Sequence, residues 1–294
     1  GDPTITPQDN IEFRRLRIGV QGDLGETMLY RLIFEMAGGN ESEIRDAFLG
    51  WRNVPFLQKV RFGNQKRPYG LDHLNSSRYN VFLERPFVIE GFNQDARRFG
   101  LQALGFSDDL TYNWRYGIFN QRLIQDEGLY SSDHWQMQGA GRIASTWFYD
   151  EACEGRNYGH WAISGSAANP DGSGLPGRAG NAADFRTRPE GRSQIRWIDT
   201  GPIDGAEDYQ LLAAEKVLNF GEFQFVGEYQ NVWVQRRGDS EVHLHGGYIY
   251  VAYFLTRGDY MTWDRETGTL DRIIPQENFY LLKKPCEGIR AGWG

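Results

Sequence analysis

Alternation is the strongest pattern along the chain. From Leu110 to Ile118 the even positions are Leu, Tyr, Trp, Tyr and Ile, and the odd ones are Thr, Asn, Arg and Gly. A period of two puts every second side chain on one face of a strand, which no helix does. The large face is rich in aromatic rings. Its length is that of a tilted strand crossing a bilayer, about 9–11 residues. Leu16, Ile18 and Val20 alternate in the same way with Arg15, Arg17, Gly19 and Gln21. Tyr30, Leu32, Phe34 and Met36 alternate with Arg31, Ile33 and Glu35, and Val60 and Phe62 oppose Lys59, Arg61 and Gly63. Between Glu222 and Tyr229 the rings Phe223, Phe225 and Tyr229 share one face, while Glu222, Gln224 and Glu228 share the other.

Weaker strand signals lie near 43–52, 97–107, 135–149, 158–168, 193–200 and 246–257. Together they predict about a dozen strands, joined by turns such as Gly22-Asp23-Leu24-Gly25 and Ser107-Asp108-Asp109. The segment Ala206 to Phe220 is rich in Leu, Ala, Glu and Lys, and by propensity it is helical. Its length and the strand pattern of 222–237 predict a hairpin around Asn219–Gly221 instead. Three long loops are expected, at 65–96, 121–134 and 169–192. No domain boundary is visible, so 1–294 is expected to be a single domain.

Composition narrows the class. Aromatic residues make up 14% of the 294 residues, with 18 Phe, 15 Tyr and 9 Trp, and mean hydropathy is −0.59. Such an aromatic load excludes a disordered chain. No apolar run approaches the ~20 residues of a membrane helix. The net charge of −7 gives no reason to expect nucleic acid as a partner. The 32 basic residues are nevertheless lopsided: 27 are Arg and 5 are Lys. Arg suits planar, bidentate contact with phosphate or carboxylate, although GC-rich coding produces the same bias. Two cysteines, Cys153 and Cys286, make no disulfide framework and no metal-ligand spacing. Gly1-Asp2-Pro3-Thr4 carries no signal-peptide pattern, as in a cytosolic chain or a mature or trimmed secreted one.

Several blocks carry a family likeness. Val60-Arg61-Phe62-Gly63-Asn64-Gln65-Lys66-Arg67-Pro68-Tyr69-Gly70-Leu71 is followed by Asn75-Ser76-Ser77-Arg78-Tyr79 and by Phe82-Leu83-Glu84-Arg85-Pro86. This resembles the phosphate-selective porin O and P family, where a strand ends in a G-x-x-K-x-P-[FY]-G-like turn and a short F-x-E-R element follows. Phe220-Gly221-Glu222-Phe223 with Glu228-Tyr229 is similar to a late hairpin of that family. So are His245-Gly246-Gly247-Tyr248, Tyr253-Phe254-Leu255-Thr256-Arg257-Gly258 and Asp271-Arg272-Ile273-Ile274-Pro275, with Arg257 a departure from the usual YFLTGE-like run. The likeness runs from about Glu12 to Gly294. It implies an all-β fold: an antiparallel transmembrane β-barrel, sixteen-stranded in the family. It also implies a homotrimer in the outer membrane of a diderm bacterium, in contact with outer-membrane lipid. Small anionic solutes such as phosphate would pass by diffusion, with no cofactor, no metal and no catalysis. Family members continue past a strand start where this chain stops at Ala291-Gly292-Trp293-Gly294, so a missing C-terminal part is expected.

The barrel reading gives the charges a place. Arg15, Arg17, Arg31, Arg61, Arg115 and Arg142 fall on the polar faces of their strands, which in a barrel line the lumen. Rings of Arg or Lys are how a pore favours anions. Glu35, Glu222 and Glu228 share those faces and temper the charge. Lys66, Arg67, Arg78 and Arg85 lie in the 65–96 segment, which the resemblance folds inward as a constriction. Trp51, Tyr112, Trp114, Tyr116, Trp135, Trp147, Tyr229, Trp233 and Tyr248 are candidates for aromatic girdles. Enzymatic patterns are poor. Asp108-Asp109 and Glu151 with Glu154 are loop acids, Ser164-Gly165-Ser166 lacks the setting of a nucleophile elbow, and His243 with His245 is a bare i, i+2 pair.

Two function classes remain open: an outer-membrane porin, and a secreted soluble β-sandwich that binds carbohydrate through its aromatics. A glycoside hydrolase would need paired carboxylates across a groove, and no such pair can be placed. A porin turns its rings outward from one sheet, whereas a sandwich turns them inward between two.

Overall fold

The computed structural model describes residues 13–37, 43–93, 96–121, 124, 136–170, 172–173, 181–188 and 196–275. Eleven strands form one sheet in chain order: β1 (Arg17–Leu24), β2 (Met28–Glu35), β3 (Glu43–Val54), β4 (Gln58–Lys66), β5 (Arg97–Phe106), β6 (Tyr112–Asn120), β7 (Met137–Tyr149), β8 (Asn157–Ala168), β9 (Ala206–Phe220), β10 (Phe223–Arg236) and β11 (Val242–Tyr253). Each strand pairs antiparallel with the next, and β1 and β11 are the two free edges among the described residues. A single meander excludes the two-sheet sandwich. Two short helices, α1 (Leu71–Leu74) and α2 (Phe87–Asn93), interrupt the connection from β4 to β5.

The two ends of the sheet differ in their connections. Tight turns at 25–27, 55–57, 107–111, 150–156 and 221–222 close one end, and the opposite end carries the short connections 36–42 and 237–241 together with the three long ones, 67–96, 121–136 and 169–205. Bacterial outer-membrane barrels have this asymmetry, with short periplasmic turns and longer extracellular loops.

The period-two faces fall as the alternation predicts. On β6, Tyr112, Tyr116 and Ile118 are exposed while Asn113 is buried. Ile18 and Val20 on β1, Leu49 on β3 and Phe62 on β4 also point outward. Leu110 lies before β6, in a left-handed turn conformation with φ 58°. The helix-prone segment 206–220 is the longest strand, because β8 and β10 pair with it along nearly its whole length. Of the weak signal at 193–200, Ile198–Asp199 is the strand, pairing with Arg186–Thr187. Trp135, Cys286 and most of 121–134 lie outside the described residues.

The inner face is half filled. On the side of β8 to β11, Tyr158, Val217 and Val226 pack against Leu71, Met261, Trp263 and Leu270. Nearer the long loops, Tyr209, Leu211, Val232 and Val234 pack against Tyr69 and Phe185. Three segments therefore enter the interior: 67–96 and the stretch around Ala183 and Phe185 from the long-loop end, and 254–275, whose Trp263–Asp264 pairs with Thr269–Leu270. Tyr248, expected in a girdle, instead turns inward beside Tyr250 on β11.

Candidate functional site

Where β1 to β6 face the interior, packing stops and a cavity of about 470 Å³ remains. Eleven Arg or Lys side chains line it against four carboxylates. Arg15 and Arg17 come from β1 and its approach, Arg31 from β2, Arg61 and Lys66 from β4, and Arg115 from β6. Arg78 and Arg85 come from the inward segment. Of the sequence-derived lumen and constriction residues, these eight meet in one chamber. Arg14, Arg45 and Arg97 join them.

Arg67 and Arg142 lie elsewhere. Arg67 is buried, and its guanidinium donates to Gln138 Oε1 at 2.7 Å and to the Asn93 carbonyl. Arg142 is enclosed on the filled side, where it pairs with Glu215 and donates to the Gly268 carbonyl at 2.8 Å. The interior next to these two residues is packed protein.

Many of the chamber's cations are held by acids. Arg17 pairs with Glu35 at 2.6 Å, and Asp46 takes Arg97 at 2.7 Å and Arg31 at 3.3 Å. Glu84 pairs with Arg14 and lies 3.9 Å from Arg15. Arg85 lies 3.2 Å from Asp72 and 3.5 Å from Glu90. Lys66 donates to the carbonyls of Leu74 and Asn75 at 3.0 and 2.6 Å, which ties α1 to the end of β4. Burial pushes the Asp72 carboxyl up to about 6, against the pull of Arg85. Burial and the surrounding cations hold His73 well below the usual imidazole value, so it is neutral.

Among the described residues four of these cations make no ion pair. Lys66 and Arg115 donate to backbone carbonyls instead. Arg78 has no ion pair, and Arg61 has only the Phe48 ring, whose centre is 5.0 Å from its guanidinium carbon; its Nε is buried without a hydrogen-bond partner. A second cleft, of about 600 Å³, continues toward the short-turn end, lined by Arg52, Lys59, Arg61, Arg115 and Glu266. Arg61, Arg115 and Thr267 border both spaces. Arg115 donates to the Thr267 carbonyl at 2.8 Å, so segment 254–275 narrows the passage there. Among the described residues no three His, Cys, Asp or Glu side chains cluster as a metal site.

A barrel-type sheet with a cationic interior and inward-folded segments is matched by a known family. The model of phosphate-selective porin O and P fits residues 2–281. The chain belongs to that family. The porin is similar to OmpT of Vibrio cholerae, an outer membrane protein: the loop L8 deletion mutant aligns with TM-score 0.53 at 12% identity, over 88% of this chain and 74% of that one. In-vitro folded OmpT in its trimer form aligns with TM-score 0.51 at 13% identity, over 84% of this chain and 66% of that one. At such identities the likeness is one of fold. A Caulobacter vibrioides protein described as uncharacterized is 36% identical over 92 residues, which is 31% of the porin but only 18% of that relative's length. Family and fold place the porin in the outer membrane of a Gram-negative bacterium.

The alternation marked most of the strand cations. Arg45 escaped because it is the extra residue of a bulge on β3: Ile33 and Phe34 of β2 oppose Asp46 and Ile44, and the parity of β3 changes at Arg45 between them. Arg97 escaped because it adjoins Arg98, and period two does not say which of two neighbouring arginines turns inward. The Arg14-Arg15-Leu16-Arg17 run was the signal that could have added Arg14.

Proposed function

We propose that this chain forms the wall and constriction of an anion-preferring pore, through which phosphate and similar small anions diffuse passively and without a chemical step. The observation that carries this reading is the chamber's imbalance of eleven cations to four carboxylates, in a chain whose net charge is −7. Low-dielectric walls focus the field of such a cluster, so local charge outweighs the global sum. Arg61 and Arg78, which make no ion pair and, unlike Lys66 and Arg115, are not held by carbonyls among the described residues, are the binding groups; a phosphate oxygen can accept the hydrogen bond for which Arg61 Nε has no partner. The paired arginines set the background potential. A homotrimer is the assembly we favour, supported by the fold likeness to an OmpT structure described as a trimer.

The test is the reversal potential of the purified protein in planar bilayers across a KCl gradient. A potential on the chloride side is expected, and inorganic phosphate should reduce the chloride current. The preference should weaken toward 1 M salt, where the Debye length falls to about 3 Å. A cation-preferring or unselective pore at low salt overturns the reading, as does a protein that stays soluble and monomeric without detergent.

A further inference from the structure

Beside the cationic chamber lies a smaller cavity, of about 230 Å³, whose lining is opposite in character. It has no Lys or Arg. Its walls are Asp72, Asn80 and Glu84 from the inward segment, with the rings of Phe82, Tyr248 and Tyr250. The tyrosine rings lie 6.1 Å apart and nearly parallel, at 8°, and Phe82 stands edge-on to Tyr250 at 5.6 Å. The partition between the two spaces is made of ion pairs. Asp72 and Glu84 line the small cavity, while their partners Arg85, Arg14 and Arg15 line the chamber.

This lining asks for donors. The carboxylates are fixed acceptors, each oriented by its arginine. Asn80 Nδ2 donates to Asp72 Oδ1 at 3.1 Å, but Asn80 Oδ1 is buried and accepts nothing. An orphan buried acceptor is unfavourable unless something donates to it. A phosphate dianion has no proton to give and is repelled by two carboxylates. A hydroxylated carbon skeleton fits: its O–H groups donate to Asn80 Oδ1 and the carboxylates, and its C–H faces lie against the rings. The volume falls somewhat below the ~300 Å³ at which ligand clefts usually begin, which suits a triol or a single sugar.

We infer that the two cavities form one bipartite site for phosphate monoesters of polyols or sugars, with the phosphate held among the chamber's arginines and the hydroxylated body in the Asp72–Asn80–Tyr250 pocket. This rests on the anion reading of the chamber and narrows it from free phosphate to organic phosphates.

The experiment titrates chloride current in planar bilayers with inorganic phosphate, glycerol 3-phosphate, glucose 6-phosphate and glucose. In the wild-type protein the esters should block at concentrations about tenfold below inorganic phosphate, a factor equal to ~1.4 kcal/mol. Asn80→Leu and Tyr250→Leu, tested separately, should raise the ester values to that of inorganic phosphate. Inorganic phosphate itself should block both variants as it blocks the wild type, which also shows that each variant has folded. Equal block by ester and phosphate in the wild type, an ester advantage that survives both variants, or block by glucose matching that of its ester overturns the inference. Loss of phosphate block and anion preference, with the Asn80- and Tyr250-dependent ester block retained, removes the anion reading and leaves the pocket.

Discussion

Arg142 Nη2 and Glu215 Oε1 meet at 2.5 Å with both side chains shut off from solvent, and His160, on the strand between them, lies 2.9 Å from the same oxygen. Arg142 also holds the Gly268 carbonyl, so the pair pins the inward segment 254–275 to the wall. A buried pair is costly to break from one side, because the remaining charge is left uncompensated; the loss is about 3–5 kcal/mol. Arg142→Met should therefore lower the urea midpoint in detergent strongly. The double variant Arg142→Met with Glu215→Leu should recover most of that loss. A single variant as stable as wild type would show that the pair does not hold the segment.

Arg67 and Arg78 are neighbours in sequence terms but differ in what surrounds them. Arg78→Gln, or Arg61→Gln, should move the reversal potential toward cations at low salt, since each removes an unpaired charge from the chamber. Arg67→Gln should leave selectivity nearly unchanged and destabilise the inward loop by ~1–3 kcal/mol, the cost of stranding buried partners such as Gln138 and the Asn93 carbonyl. Bilayer recordings and urea melts of the same three proteins separate the two effects. A selectivity change in Arg67→Gln as large as in Arg78→Gln would put Arg67 on the ion path.

The strands of the open side were legible because water within and apolar surroundings without write opposite residues at alternate positions; β6 shows this residue by residue. The filled side obeys a different rule. On β9 the inward Tyr209, Leu211 and Val217 are apolar because protein packs against them, and the outward Leu212 is apolar too. Alternation in hydropathy fades there, and only the pairing of 206–220 with its neighbours reveals a strand. The same rule explains Arg142. Its position on an inward face was readable, but that the adjacent interior would be packed by residues 263–270 depends on contacts more than a hundred residues away. The aromatic pocket was unreadable for a related reason, since it is assembled from 72–84 and from Tyr248 and Tyr250.

Gly63 has φ 131°, and a Cβ there would come within 2.2 Å of the Ala47 carbonyl oxygen and 2.7 Å of Phe48 Cα. The close approach of β3 and β4 sets Arg61 over the Phe48 ring. Gly63→Ala should destabilise the protein by roughly 1–3 kcal/mol, the usual cost of such backbone strain, and should weaken phosphate block of the current. Wild-type stability and block in this variant would mean that the strand pair has room the geometry denies.

Asp72 gives the pore a pH dependence of definite sign. Burial raises its carboxyl to about 6 from an ordinary 3.8, with Arg85, Glu90 and Lys66 the nearby charges. Near pH 7.5 the group is ionised and offsets Arg85; near pH 5 it is neutral, and the partition gains one net positive charge. His73, held well below its usual value by burial, contributes no charge in that window. Anion preference should therefore increase as pH falls from 7.5 to 5, with its midpoint close to 6. The folded-state value lies above the unfolded one, so Asp72's contribution to stability is full below about pH 4 and is lost as pH rises through 6. Asp72→Asn should show the acid-side reversal potential across the whole range. A wild-type reversal potential that is flat from pH 5 to 7.5, or one that shifts toward cations on acidification, would separate Asp72 from the charge that the permeating ion feels.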